Sequence, residues 1–409
     1  MHRKLGIAGI VLLAASGTAL ASGYRIPEQS VNSTARAGGY VAHTPGADAT
    51  YFNPANMAWL DPKAQVEANA TWIHLTSIEY TDSRTSLYHG DSEKENFLVP
   101  TLFAVSPDYN GLRAGFSFTA PGGLSKRWQD PFPRTFAEEF TLKIFEFNPT
   151  VSYKISDRVA IGGGARAVFV DGKVKSAGQV APGVTAARDM EGDTWEAGYN
   201  LALTVKPVER LNLSVTYRSE VDLGVEGDAT LRTSAGPGFY SGDTGVEIPL
   251  PAILAVAASY DFTDQLTVEL EYDRTFWSDY EYLDFTYPAP LANPVLFMAF
   301  DSAKDKHWED SDALRLSAEY DLQNRFTLMA GIAYDETPAP ESTVGFELPD
   351  SDAIIYSFGV RYQATDAMQL GAGYLYDHKK SRSVNNGTVH GTFDESAAHL
   401  LTVGLAYSF

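Results

Sequence analysis

The chain contains no cysteine, which excludes disulfide staples, thiolate catalysis and cysteine-ligated metal. Positive charge is scarce: 31 Lys and Arg stand against 52 Asp and Glu, for a net charge of −21. A surface of that sign repels phosphate backbones and argues against nucleic acid as a partner. Beyond residue 21 no apolar run approaches the ~20 residues that a membrane-crossing helix needs. Catalytic motifs are missing as well, with no Gly-x-Ser-x-Gly elbow and no His-Glu-x-x-His pair. Gly162-x-Gly164-x-x-Ala167 has the form of a dinucleotide fingerprint, but it lies inside a strand pattern rather than between a strand and a helix. His43, His74, His89, His307, His378, His390 and His399 are scattered without ligand spacing. The expectation is therefore a protein that is not an enzyme and has no cofactor and no metal site.

What is present starts with a leader. His2, Arg3 and Lys4 precede an apolar run from Leu5 to Ala15, and Ala19-Leu20-Ala21 supplies small residues for cleavage, so residues 1–21 read as a removed signal peptide. After residue 62 the dominant pattern has period two. Leu401, Val403, Leu405, Tyr407 and Phe409 alternate with Thr402, Gly404, Ala406 and Ser408. Leu266, Val268, Leu270 and Tyr272 alternate with Thr267, Glu269, Glu271 and Asp273 in the same way. These are amphipathic strands.

The connections between them fall into two classes that alternate. "SPDYNG", "SDR", "KPVER", "DFTDQ", "DLQNR" and "QATDA" are tight turns, whereas the stretches near 81–94, 121–138, 177–193, 228–245, 286–311, 338–351 and 381–397 read as long loops. A soluble sandwich has no reason to sort its loops by length. A closed outer-membrane barrel does, with short turns on the periplasmic side and long loops outside. The segments number about 14, an even number as such barrels have. The fold class expected is an all-β, 14-stranded antiparallel transmembrane barrel in the outer membrane of a Gram-negative bacterium. Its Leu, Val and Tyr face meets lipid, and the face with Glu269, Glu271, Arg218, Arg315, Glu319 and Arg361 meets the lumen.

Residues 22–61 show neither period. Their small residues (Ala35, Ala37, Gly38, Gly39, Ala47, Ala49) allow close approach of backbones, and "YFNPANMAWL" sets a turn-forming Asn53-Pro54 among aromatics. A barrel of this size holds more space than its own side chains fill, so this segment is expected to plug it. The chain thus divides into a leader (1–21), an N-terminal hatch (22–61) and the barrel (62–409).

The whole mature chain resembles the FadL/TodX family of outer-membrane transporters of long-chain fatty acids and aromatic hydrocarbons. The resemblance rests on "SGYRIPEQSVNSTARAGG", "ATYFNPANMAWL", "FTAPGGLSKRW", "EFNPTVSYKISDRVAIGGGARAVF", "IPLPAILAVAASYDFTDQLTVELEYDRTFWSDY", "HWEDSDALRLSAEYDLQNRFTLMAGIAYDETPAP" and the terminal "VGLAYSF". It implies a hatch in which Phe52, Asn53, Pro54 and Ala55 are candidates for gating. It implies an apolar pocket and a lateral exit beside a kinked third strand at 111–121, where Gly115, Ala120, Pro121, Gly122 and Gly123 are candidates for the irregularity. The implied activity is passive uptake of hydrophobic compounds, with fatty acids ahead of aromatic hydrocarbons. A surface barrel serving as adhesin or phage receptor is the alternative. Arg166, Arg218, Arg315 and Arg361 occupy lumen positions and are candidates for a ligand's carboxylate, although pairing with lumen carboxylates is the commoner use of such residues. "PAPLANPVLFMAF" and "RWQDPFPRTF" are expected as loop surfaces that capture ligand. The partners expected are a hydrophobic small molecule, outer-membrane lipid and lipopolysaccharide, with the barrel a monomer.

Overall fold

A computed structural model describes residues 23–409, so the leader expected at 1–21 lies outside the described residues. The alternating segments form one antiparallel barrel. Its strands are β1 (Gln65–Leu75), β2 (Glu95–Val105), β3 (Leu112–Arg127), β4 (Glu139–Ser156), β5 (Val159–Ala181) and β6 (Val184–Val208). β7 runs through Leu211–Arg218 and Val221–Thr233, and β8 through Gly238–Leu250 and Ala252–Asp261, the latter broken at Pro251, which has no N–H to give the ladder. β9 (Leu266–Phe276), β10 (Ser311–Asp321), β11 (Phe326–Asp335), β12 (Ala353–Gln363), β13 (Met368–Lys379) and β14 (Ser396–Ser408) complete the wall. β1 pairs with β14 from Gln65↔Ser408 to Leu75↔Ala398, so the sheet closes on itself.

Within the band between the two ends, the wall is apolar outside and polar inside. Leu270, Tyr272, Leu314 and Leu316 are exposed on the outer face, while Glu269, Glu271 and Arg315 on the same strands are buried. The short turns fall where the sequence places them. Two of the expected long loops do not exist: 177–193 and 228–245 are mostly strand, because β5 and β6 run on to a turn near Gly183 and β7 and β8 run on to one near Gly236. In these extensions the polarity of the wall inverts. Val168, Val170, Met190, Leu223 and Leu231 are buried inside. Lys175 pairs with Asp189 at 3.0 Å, partly exposed on the outside. Charge on the outer face marks the part of the wall that has risen out of lipid, where water replaces hydrocarbon.

The segment from Tyr24 to Trp59 fills the lumen and is buried almost throughout. Ser30 opens the short helix α1 (Val31–Ala35) with a reciprocal capping box to Ser33. Ala37 and Gly38, both at positive φ, turn the chain back. After α2 (Ala49–Phe52), Asn53 caps a 3₁₀ turn (Pro54–Trp59), its side chain accepting from the N–H of Ala55, with Pro54 at the first position where a missing N–H is harmless. Glycines in the wall make room for it: a Cβ on Gly162 would sit 2.5 Å from the backbone N of Ala55.

Candidate functional site

The plug is held by charge. Glu269, fully buried on β9, accepts four bonds: from Arg36 (2.7 Å) and from the backbone N–H groups of Val41 (2.7 Å), Ala42 (2.6 Å) and His43 (2.9 Å). Asn53 donates through Nδ2 to the Val41 carbonyl (2.8 Å) and to Thr204 Oγ1 on β6 (2.9 Å). Of the candidate gating residues, Asn53 thus ties the two halves of the plug to the wall. Pro54 and Ala55 lie against Gly162, and Phe52 packs edge-on to Tyr40 and Tyr51.

The four arginines proposed for a ligand's carboxylate are engaged by carboxylates of the protein. Arg166 and Arg218 both bind Glu146. Arg315 binds Asp273 (3.1 Å), Asp335 (3.0 Å) and the Ala37 carbonyl (2.9 Å). Arg361 binds Glu67 (2.7 Å) and Asn32 (2.5 Å). Each is thus paired with a carboxylate, the commoner use of such residues. A guanidinium in a closed lumen must be neutralised where it lies, and these four fasten wall and plug instead.

The third strand is irregular where the sequence suggests, apart from one residue. β3 pairs with β2 only from Leu102↔Phe118 to Val105↔Gly115, and its register against β4 shifts between Thr119 and Gly122. Beyond that point the plug takes the place of β2. Gln29 Nε2 donates to the Ala120 carbonyl (2.9 Å), the Ala120 N–H to Gln29 Oε1 (2.8 Å), the Ile26 N–H to the Pro121 carbonyl (2.9 Å), and the Gly123 N–H to the Tyr24 carbonyl (2.9 Å). Gly122 bridges to Arg25. Gly115 is not part of this irregularity. It pairs regularly with Val105 and Thr150, and the space for its absent side chain is taken by Thr50 and Met57. The strand also runs to Arg127, past the expected end at 121.

Above the plug, inside the inverted part of the wall, lies an apolar cavity of about 110 Å³. Leu142, Val174, Met190, Val246 and Ile248 line its sides, and Tyr24, Tyr280 and Trp308 line it as well. Burial holds the phenols of Tyr24 and Tyr280 well above their ordinary value, so both remain neutral. Lys306 stands in the lining and forms an ion pair with Glu347. Burial pushes the Glu347 carboxyl up, but Lys306 outweighs it and holds the group below its ordinary value.

A larger groove of about 650 Å³ adjoins this cavity and shares Phe140, Leu283, Phe285 and Lys306 with it. Two loop helices contribute to its walls: α3 (Pro131–Ala137) through Thr135 and Phe136, and α4 (Pro294–Phe300) through Val295, Met298 and Phe300. The two aromatic loop stretches picked out in the sequence therefore meet across one groove.

In the groove, against Phe140 and Phe285 that it shares with the cavity, stands Arg188, which sequence reasoning missed. Its guanidinium lies over the rings of Phe140 (5.3 Å), Phe285 (5.1 Å) and Phe300 (5.6 Å), and its Nε donates to Ser176 (3.1 Å). Among the described residues no carboxylate is in ion-pair contact with it; Glu347, which lines the same groove and is paired with Lys306, acts on it through space. The signal was available in "ARDMEGDTW", where Arg188 shares the inward parity of Met190 while Asp189 and Glu191 face out, but that reading requires knowing that the strand continues there.

A family model for outer membrane protein transport proteins (OMPP1/FadL/TodX) matches residues 12–409. The 47 kDa outer membrane protein of Pasteurella multocida is 25% identical over 426 residues, covering 97% of this chain and 96% of its own length. The long-chain fatty acid transport protein of Escherichia coli is 23% identical over 438 residues, covering 96% of each. Among solved structures, a Pseudomonas aeruginosa FadL homologue superposes with a TM-score of 0.83 at 19% identity, over 95% of this chain and 100% of that one. The Ralstonia pickettii toluene transporter TbuX gives 0.73 at 17% identity, over 93% and 98%.

Proposed function

This chain belongs to the outer membrane protein transport family (OMPP1/FadL/TodX) and is an outer-membrane β-barrel transporter, not an enzyme; from that premise we propose that its cargo is a carboxylated amphiphile of the long-chain fatty acid class. The groove between α3 and α4 takes up the alkyl chain, and Arg188 receives the carboxylate. The cavity below takes the chain next. Release follows sideways into the bilayer beside Ala120–Gly123, where β3 has left β2 and only the plug segment 24–29 closes the wall. In this reading residues 1–21 are a removed leader, 22–61 the gate and 62–409 the wall. The barrel works as a monomer among outer-membrane lipid and lipopolysaccharide. Transport is passive, driven by the transfer of apolar surface out of water at about 25 cal/mol per Å².

The observation that carries the choice of cargo is Arg188. A partly buried guanidinium with no carboxylate in contact costs several kcal/mol, of which each ring returns about 0.5–2 kcal/mol, and the Glu347 carboxylate that acts on it through space is already paired with Lys306. A ligand carboxylate supplies the missing charge, whereas a neutral hydrocarbon leaves the cation as it was. The second reading, uptake of aromatic hydrocarbons by the same route, draws on the same three rings and on the aromatic floor of the cavity.

Uptake of labelled oleate and of labelled toluene by cells expressing wild type or Arg188→Leu separates the two. We expect the variant to lose oleate uptake about tenfold or more, the worth of one charge-assisted pair, while toluene uptake stays within about twofold. Oleate uptake that survives the substitution at equal amounts of folded barrel refutes the assignment.

A further inference from the structure

Three of the histidines that are scattered in sequence come together on the outer surface. At the loop end of the wall, directly paired positions form a row across five strands: Asn96 on β2, His74 on β1, His399 on β14, Tyr376 on β13 and Tyr356 on β12. His378 lies one step further along β13, its ring 6.0 Å from that of Tyr376. One step towards the turn end, the same strands carry Leu98, Trp72, Leu401, Tyr374 and Phe358. That second row is lipid-facing and apolar apart from the Tyr374 hydroxyl, so the first row is where the wall leaves the hydrocarbon and meets the headgroups of the outer leaflet.

The imidazoles in this row are oriented by their neighbours. His74 stacks on Trp72 (ring centroids 5.6 Å) and its Nδ1 bonds to Asn96 Oδ1 (3.0 Å). His399 bonds through Nδ1 to the Tyr374 hydroxyl (2.8 Å) and its ring lies 5.2 Å from that of Tyr376. The two imidazoles are 5.9 Å apart, centre to centre. In both, the nitrogen nearer the strand is engaged, and Nε2 has no protein partner among the described residues. The Asn96 oxygen only accepts, so the proton of neutral His74 sits on Nδ1 and its Nε2 can donate only as imidazolium. His378 differs from the other two, because Glu395 stands 4.0 Å from its Nε2.

We infer that His74 and His399 form a docking site for a phosphate group of the outer-leaflet glycolipid, lipid A, whose acyl chains lie along Trp72, Leu98 and Leu401. A phosphate shared by two imidazoles completes both Nε2 atoms at once and supplies the counter-charge for an imidazolium. Phospholipid headgroups also carry phosphate, but a zwitterionic headgroup brings its own cation, and a dianionic monoester offers the larger charge. The inference rests on the barrel's place in the outer membrane and is independent of what it transports.

The test is thermal unfolding of the whole barrel in phosphatidylcholine vesicles that contain either diphosphoryl lipid A or the same lipid with its phosphates removed. We expect wild type to unfold at least about 2 °C higher with the phosphorylated lipid. This difference should vanish in His74→Gln/His399→Gln, which keeps polarity without an imidazolium, and persist in His378→Gln. Should the double variant fail to fold, retention of lipid A on the wild type and on each single variant, measured by native mass spectrometry, gives the same comparison. Equal stabilisation by both lipids, or a difference that survives the double substitution, overturns the proposal. Equal stabilisation by inorganic phosphate in lipid A-free vesicles would assign the site to a free anion and overturn the lipid.

Discussion

Replacing Glu269 tests whether the plug is held at a point or along its length. This carboxylate is fully buried and accepts from Arg36, Val41, Ala42 and His43 at 2.6 to 2.9 Å. Glu269→Ala strands three backbone donors and a guanidinium in a closed space. Leaving a buried charge without its partner costs about 3–5 kcal/mol, and each orphaned donor about 1–3 kcal/mol, part of it recovered by water. A net loss of about 5 kcal/mol multiplies the released population of the plug by roughly 10³ to 10⁴. Glu269→Gln keeps one acceptor oxygen and loses the charge, for about 3 kcal/mol and a factor near 10². The wall should survive both changes, because its ladder bonds do not involve this side chain. The assay is single-channel conductance in planar bilayers, with the folded barrel quantified by heat-modifiable mobility. Conductance should rise in the order wild type, Gln, Ala at constant folded yield. Wild-type conductance in Glu269→Ala would refute the reasoning and show that the remaining contacts, such as Arg315 to the Ala37 carbonyl and Ser357 to the Ala35 carbonyl, suffice alone.

Two further outcomes follow from the plug. Asn53→Ala removes the bonds to Val41 and Thr204 and the cap on Ala55, at about 2–4 kcal/mol in total; we expect altered ligand uptake with an unchanged amount of folded barrel, and loss of the barrel itself would make Asn53 an anchor of folding instead. Burial pushes the Glu28 carboxyl up from 4.5 to about 7; Arg315 opposes the rise and Asp377 adds to it. The plugged state then binds more protons than the released state between those two values, so its hold falls as pH rises through that window, by on the order of 3 kcal/mol in all. Conductance should therefore be higher at about pH 8 than at about pH 5, and the dependence should weaken in Glu28→Gln, where Asp48 of the plug, raised by burial to about 7, still titrates; an unchanged pH dependence in that variant counts against the assignment.

The wall was legible because two solvents act on its two faces. Leu270 and Tyr272 must meet lipid while Glu269 and Glu271 meet the lumen, and that requirement is written residue by residue into each strand. Where water replaces lipid outside, the pattern loses its meaning. Lys173, Lys175, Asp189 and Glu191 look like loop residues although they form the outer face of a strand pair. For that reason 177–193 reads as a loop, and Arg188 is hidden inside it. Gly115 misleads for a related reason: a glycine in a strand marks close approach as often as a bend, and here Thr50 and Met57 are what approach.

The plug shows where local reading stops. Its small residues and its Asn-Pro announce a packed, turning segment, and the 3₁₀ turn capped by Asn53 follows from those residues. Which carboxylate would receive which arginine does not. Arg36 meets Glu269 across 233 positions of the chain, and Arg218 meets Glu146 across 72.

By itself the sequence determined the barrel, its strand number and the sides its loops take, because strand amphipathicity and turn chemistry are local and each strand carries its own copy. Only the closed structure decided which cations pair with carboxylates, which one lies over three rings instead, and which histidines become neighbours. Pairing depends on distance in space, and the closure of the wall brings β1 to β14, and Arg188 to the rings of α4 and the loops, across gaps in sequence that no periodicity spans.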